Sequence, residues 1–262
     1  PSVSIPGVME TNTRTELSGI DPTTDAPSRL RAVLFAIGVT LGAALYVPLV
    51  VGSTAELWAL LGNDGFLVPF AVGGTLATLS LGAMAYYYVR YTSLQVPIRM
   101  PTRRDLAWVV VGVVVPLAIQ IGLILVGSRF GVQPVEGGID AAAAADPVLV
   151  YSLALVSALF LIGPVEELLY RGVVQGRLRQ SFGPVAAIGL TSVGFAAGHV
   201  ATLVWGGGDP FTLGFGLSLV AIASGSVVLG VVYERTGSLV PAILAHSLFN
   251  GLLLALALAT VL

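Results

Sequence analysis

The sequence is organised around the stretch GPVEELLYRG, residues 163–172, which closes an apolar run that begins near residue 148. Ionisable side chains in a segment of membrane-spanning length cost roughly 2.5–3.5 kcal/mol each on insertion, and they normally face a protein interior or a wet cavity. On a helix, Glu167 and Arg171 share one face, whereas Glu166 lies about 100° around the axis. The spacing predicts that Arg171 neutralises Glu167 and leaves Glu166 as the unpaired carboxylate. The alternative is a helix-terminal charge cluster at the membrane interface.

Composition places the chain in a membrane. Of its 262 residues 56% are hydrophobic and only 10% are charged, whereas soluble domains carry about 25% charged residues. The absence of cysteine excludes disulfides, thiolate metal sites and a cysteine nucleophile. All 12 basic residues are arginines, the net charge is -2 and there is no basic block. Nucleic acid is therefore not expected as a partner. The lipid bilayer is the expected surrounding of the chain.

Apolar runs long enough to cross a hydrocarbon core, which takes roughly 20 helical residues, divide the chain into a tail and one membrane domain. Residues 1–28 lack apolar periodicity and are expected to form a disordered cytoplasmic tail, and residues 29–262 a single transmembrane helical domain. A short helix at Ala141–Ala145 would allow an eighth helix. Seven spans are predicted, at 32–53, 66–89, 106–127, 148–170, 184–204, 212–233 and 239–261.

The distribution of arginines predicts the orientation of the spans. Nine arginines lie in the segments at one end of the successive spans, and one, Arg129, lies in the loops at the other end. The positive-inside rule assigns the arginine-rich end to the cytoplasm. The amino terminus is therefore expected in the cytoplasm and the carboxyl terminus outside, in a multi-pass protein of the cell membrane. We also expect Gly163 and Pro164 to break the fourth span just before the acids and so admit water.

Both histidines of the chain fall in predicted spans. His199 lies in the fifth span, and His246 and Asn250 lie four residues apart in the seventh, on one helix face. Counted from the cytoplasmic ends of the helices at about 1.5 Å per residue, all three lie at depths near that of Glu166. Each polar residue alone would more often be a hydrogen-bonding link between helices. Their concurrence on three helices favours a site.

This set of residues suits hydrolysis by an activated water. Glu166 can act as general base, and His199 can orient or bind the water, directly or through a metal ion. His246 and the Asn250 amide can donate hydrogen bonds to the oxyanion of a tetrahedral intermediate. If a metal such as Zn²⁺ is bound, His199, His246 and Glu166 are its candidate ligands, and the sequence leaves open whether one is needed.

Three motifs in this order and spacing resemble the CPBP family of type II CAAX prenyl endopeptidases and of bacteriocin-processing and abortive-infection-type membrane proteases. They are Glu-Glu-x-x-x-Arg at 166–171, Phe-x-x-x-His at 195–199 and His-x-x-x-Asn at 246–250. The resemblance covers about 148–255, the motif-bearing core.

The resemblance implies an all-α bundle of seven or eight transmembrane helices with a catalytic cavity open to the cytoplasm. It implies that the first glutamate activates water, that His199 assists and that His246 and Asn250 form the oxyanion site, with Glu167 and Arg171 as support. The expected activity is endoproteolysis of a peptide or lipidated, CAAX-like protein, by a metallo- or glutamate-dependent mechanism. The alternatives are a transporter that relays protons or cations, and a non-catalytic binding or immunity factor.

Overall fold

The computed structural model describes residues 28–262. The tail expected at residues 1–28 therefore lies outside the described residues, apart from Ser28. The Ser28 hydroxyl caps the first helix by accepting a hydrogen bond from the backbone N–H of Arg31 at 3.3 Å. Within residues 28–262 seven helices are long and apolar enough to cross a membrane. The chain is an all-α, multi-pass membrane protein, as predicted.

The helices match the predicted spans closely, and each begins within three residues of its prediction. The short helix expected near Ala141 also forms, but its six residues are too few to cross a bilayer. In chain order the helices are α1 (Arg29–Leu60), α2 (Leu67–Tyr91), α3 (Arg103–Arg129), α4 (Gly138–Ala143), α5 (Pro147–Arg179), α6 (Pro184–Trp205), α7 (Leu213–Thr236) and α8 (Leu239–Val261).

The helix α5 is continuous, so the expected break at Gly163 and Pro164 is wrong. A π-helical turn at Ala158–Ile162 precedes them, and the Gly163 N–H bonds to the Ala158 carbonyl five residues back. Proline in a regular helix interior clashes with the carbonyl four residues back, and the wider π turn accommodates it. A second π-helical stretch, Leu168–Gln175, follows the two glutamates. The acids therefore lie on an unbroken helix flanked by two wide segments.

The second half of α5 lies at the centre of the bundle. Its residues 169–175 and Leu178 are buried together with small residues of α1, α2 and α6. Helix α5 also packs along α8, while α7 and α8 both pack on α3. Small side chains let helices approach closely in a membrane. This packing brings α5, α6, α7 and α8 together around the three motifs.

The loop between α2 and α3 fastens the starts of α3 and α8 to each other. The Leu239 N–H donates to the Pro97 carbonyl at 2.9 Å, and the Arg99 N–H donates to the Ser238 hydroxyl at 3.1 Å. The Asp105 carboxylate accepts a hydrogen bond from the Arg99 side chain, which raises the pKa of Arg99 above its ordinary value. These contacts hold α3 beside α8, the helix that carries His246 and Asn250.

Candidate active site

Two carboxylates at adjacent positions of α5 have opposite environments. The Glu167 side chain is completely buried, whereas 27% of the Glu166 side chain is exposed. The Arg171 Nε lies 3.2 Å from the Glu167 Oε2, and the Arg171 side chain is also completely buried. The ion pair predicted from the four-residue spacing is therefore present. Burial of both partners makes this pair a fixed part of the core.

Helix α7 provides hydrogen-bond acceptors for Arg171. The Arg171 Nη2 donates to the Ser226 carbonyl at 3.0 Å and to the Ser226 hydroxyl at 3.1 Å. The guanidinium carbon also lies 5.3 Å from the centre of the Phe195 ring on α6, within cation–π range. The arginine thus joins α5, α6 and α7. Its contact with Ser226 was not predicted, because no sequence pattern relates these positions.

His246 bridges the two glutamates. Its Nδ1 lies 2.8 Å from the Glu167 Oε1, and its Nε2 lies 3.7 Å from the Glu166 Oε2. Because Glu167 is already paired with Arg171, it serves as the acceptor, so Nδ1 carries the proton. The Nε2 atom is then directed to Glu166. The distance of 3.7 Å is too long for a direct hydrogen bond and suits a water that contacts both groups.

The bond between His246 and Glu167 is the main feature of the site that the sequence did not predict. The two residues are 79 positions apart, and only the rotation of α8 about its own axis decides which glutamate the imidazole meets. The depth of His246 in the membrane could be predicted, but this rotation could not. The outcome is a buried chain of contacts from Arg171 through Glu167 and His246 to Glu166.

His199 lies at a one-residue interruption of α6. The regular helix ends at Gly198, and the His199 N–H bonds to Ala196 three residues back before helix resumes at Val200. The ring Nδ1 lies 2.8 Å from the Phe195 carbonyl, an acceptor, so Nδ1 carries the proton. The Nε2 of a neutral His199 is then an acceptor. Phe195 packs against His199 and His246, with ring centres 4.6 and 5.9 Å apart.

A cavity of about 310 Å³ adjoins these residues and is lined by His199, His246 and Asn250 together with side chains of α3, α7 and α8. No described residue forms a hydrogen bond with the Asn250 side chain, whose amide is therefore available to a ligand. Glu166 is not among the lining residues and meets the cavity through His246. Four of the six predicted site residues, Arg171, Glu167, His246 and Glu166, form one connected group. His199 is linked to that group through Phe195, and Asn250 lines the same cavity as the two histidines.

An opening of the cavity to the cytoplasm was expected, and it stays a prediction because the orientation in the membrane does. The lining of the cavity reaches Pro134 and Val135 in the loop after α3, away from the arginine-rich end of the bundle. At the arginine-rich end, the loop between α2 and α3 packs on α5, with Val96 against Gly172 and Leu94 against Gly176. The loop therefore covers α5 on the arginine-rich side of Glu166 and Glu167, where an opening to the cytoplasm would have to lie.

A metal site was left open by the sequence, with His199, His246 and Glu166 as candidate ligands. Within residues 28–262 no three His, Asp or Glu side chains come near enough to one another to hold one metal ion. Zinc sites use at least three protein ligands. The arrangement described does not fit a three-ligand zinc site.

Comparison with known proteins adds one finding. Residues 148–252 match a family model described as Rce1-like: type II CAAX prenyl endopeptidase Rce1-like. The matched range runs from α5 into α8 and contains all six predicted site residues, while α1 to α4 lie outside it. Searches of curated proteins and of solved structures found no match.

Proposed function

Because residues 148–252 match the model of a family of type II CAAX prenyl endopeptidases, we propose that the chain is an intramembrane endopeptidase of the CPBP family in which Glu166 activates the attacking water. One observation carries the assignment of the base. Of the two adjacent glutamates, Glu167 is bound by Arg171 and by His246, while Glu166 forms no ion pair with an arginine of residues 28–262 and faces the His246 Nε2. A carboxylate in that position can take a proton, whereas a buried and doubly bound one cannot.

In the proposed reaction Glu166 takes a proton from a water that lies between its carboxylate and the His246 Nε2. The water oxygen attacks the carbonyl carbon of the scissile peptide, and the carbonyl oxygen becomes an oxyanion. The amide of Asn250 donates a hydrogen bond to that oxyanion, and His246 donates a second from Nε2 in its imidazolium form, which has taken up a proton from solvent before the reaction and releases it afterwards. The C–N bond then breaks, and the proton held by Glu166 passes to the leaving nitrogen. Water is thereby added across one peptide bond.

His199 and Glu167 have positioning roles in this proposal. The His199 Nδ1 is held by the Phe195 carbonyl, which leaves Nε2 as an acceptor that can orient the water. Glu167 fixes the ring of His246 through the bond to Nδ1, as a buried carboxylate does for the histidine of a catalytic triad. No step is assigned to a metal ion. The substrate proposed is a membrane-associated peptide or protein segment, including prenylated, CAAX-like carboxyl termini.

The test is cleavage of a peptide panel by detergent-purified protein and its Glu166→Gln variant, with farnesylated and unmodified versions of each peptide. Loss of a general base lowers turnover by about 100- to 10,000-fold, so we expect cleavage by wild type and almost none by the variant. New termini are identified by mass spectrometry, and a chelator arm tests for a metal. A variant as active as wild type would refute the proposed base. A protein that binds peptides without cutting them would instead be a binding factor.

A further inference from the structure

Gln120 is an amide in the middle of a membrane span that the proposed chemistry does not use. It is the 18th of the 27 residues of α3, it is partly buried, and its side chain lines the cavity that contains His199, His246 and Asn250. No side chain or backbone group within residues 28–262 forms a hydrogen bond with its amide. A polar group buried without a partner costs several kcal/mol in an apolar medium. Because Gln120 is partly exposed, lines the cavity and has no partner among the described residues, its amide is available to a ligand that enters the cavity.

The other polar side chains of the cavity are already engaged. The Ser218 hydroxyl accepts from the Val135 N–H at 2.9 Å and donates to the Val135 carbonyl at 3.2 Å, so both of its hydrogen bonds are made within the protein. The Ser226 hydroxyl accepts from Arg171. The two histidines are held through Nδ1, and Asn250 has the proposed oxyanion role. Gln120 is the remaining polar side chain of the lining.

The shape of the cavity indicates what its occupant must be. Gly112, Pro116, Gln120 and Leu123 form one stripe of α3 along the cavity wall. The 11-residue separation of its ends corresponds to about 16 Å of helix, or the length of about five extended residues. Apart from the polar groups named above, the lining is apolar, with Leu203, Ile222, Phe249 and Leu253 among it. An extended segment with apolar side chains fits such a wall.

We propose that Gln120 binds the backbone of the substrate, in an extended apolar segment beside the cleaved bond. A glutamine side chain has one carbonyl and one NH₂ group, so it can accept from the N–H and donate to the C=O of a peptide backbone. Because the backbone is common to all peptides, Gln120 contributes affinity, and the apolar wall selects the side chains. This inference rests on the proposed function for the identity of the ligand.

The first test compares the cleavage kinetics of Gln120→Leu and wild type. The substrate is a decapeptide of which one half is rich in Leu and Val. Removal of a hydrogen-bonding partner is expected to raise KM about ten-fold and to change kcat less than two-fold. The matched control is Thr78→Val, whose hydroxyl bonds within α2 to the Gly74 carbonyl away from this cavity. It should have the kinetics of wild type. An unchanged KM in Gln120→Leu, or a fall in kcat alone, overturns the proposal.

Binding is measured separately in the inactive background. The fluorescein-labelled decapeptide should bind Glu166→Gln saturably and bind Glu166→Gln/Gln120→Leu about ten-fold more weakly. Equal affinities, or no saturable binding, overturn the role of Gln120. If Glu166→Gln instead cleaves like wild type, the proposed base has failed, while the two affinities still decide the inference on Gln120.

The cysteine-free sequence allows a readout that needs no turnover. A charged methanethiosulfonate reagent reacts with thiolates, which form in water and not in lipid. Gln120→Cys should be labelled, and the bound decapeptide should slow its labelling. Ile121→Cys, at an exposed position of the same helix, should remain unlabelled in liposomes because it faces lipid. Labelling of Gln120→Cys that the peptide leaves unchanged contradicts the proposal.

Discussion

At the scale of single residues, two neighbouring glutamates have separate tasks because their surroundings differ. Glu167 is enclosed with a cation on one side and an imidazole N–H on the other, and it fixes the geometry of His246. Glu166 is partly exposed and faces the second nitrogen of the same ring. One histidine therefore links a structural carboxylate to a proposed catalytic one.

The buried pair of Glu167 and Arg171 should show a characteristic pattern of stability. Arg171→Met leaves the Glu167 carboxylate buried without its cation, and breaking such a pair costs about 3–5 kcal/mol. The double variant Glu167→Gln/Arg171→Met removes both charges and should lose less stability than Arg171→Met alone. Each variant is heated in detergent, and the loss of its monodisperse peak measures how much stability it has lost. A double variant that is less stable than Arg171→Met would contradict the coupling.

The sequence predicted part of this arrangement and could not have predicted the rest. A contact within one helix follows from the 3.6-residue period, so the pairing of Glu167 with Arg171 could be derived. Contacts between helices depend on the rotation of each helix about its axis. A span that is apolar towards both lipid and protein does not define this rotation in its sequence. The bonds of His246 to Glu167 and of Arg171 to Ser226 belong to this second kind.

At the scale of helices, three of the residue pairs that form polar contacts between α5 and α7 have the same separation in sequence. Arg171 meets Ser226, Gln175 Nε2 lies 3.4 Å from the Gly230 carbonyl, and Arg179 Nε lies 2.9 Å from Glu234 Oε1. Each pair is 55 residues apart, which shows that the two helices run parallel in one register. The spans were predictable from their apolar length.

The π turn that keeps α5 continuous at Pro164 was not predictable, because it depends on how α5 packs against α8.

Close approach of α5 and α8 at Gly163 leads to a prediction about this interface. A Cβ at Gly163 would collide with the side chain of Ser247, the residue that follows His246. Gly163→Ala should therefore displace α8 and lower kcat at least several-fold while the protein remains folded. Gly189→Ala on α6, where a Cβ meets no atom within 4 Å, is the matched control and should retain wild-type activity.

Cleavage kinetics and heating curves of the two alanine variants check this prediction together. Wild-type kcat in Gly163→Ala would show that α5 and α8 can separate without moving His246, and would remove the argument that their spacing sets the site.

At the scale of the whole molecule, the outer surfaces of the spans carry large apolar side chains that are exposed in the isolated chain, as expected for contact with lipid. The orientation in that lipid remains a prediction from the arginines, nine of which lie at one end of the bundle apart from the tail and Arg171. On that prediction the amino terminus lies in the cytoplasm and the carboxyl terminus on the opposite side.

Reporter fusions in a bacterial host check the orientation. Alkaline phosphatase is active only outside the cytoplasm, so a fusion after Leu262 should be active and a fusion within the loop at Gln180 should be inactive. Green fluorescent protein, which folds in the cytoplasm, should fluoresce when fused before Pro1. The reverse pattern would invert the proposed topology and place the arginine-rich end outside.

The central claim is that Glu166 activates the water. The most direct measurement is the kcat of Glu166→Gln beside its affinity for the same peptide, with Glu56→Gln, at an exposed position on α1, as the control. We predict that Glu166→Gln binds the peptide as wild type does and loses at least about 100-fold in kcat, while Glu56→Gln matches wild type in both. A Glu166→Gln variant that retains wild-type kcat would contradict the account.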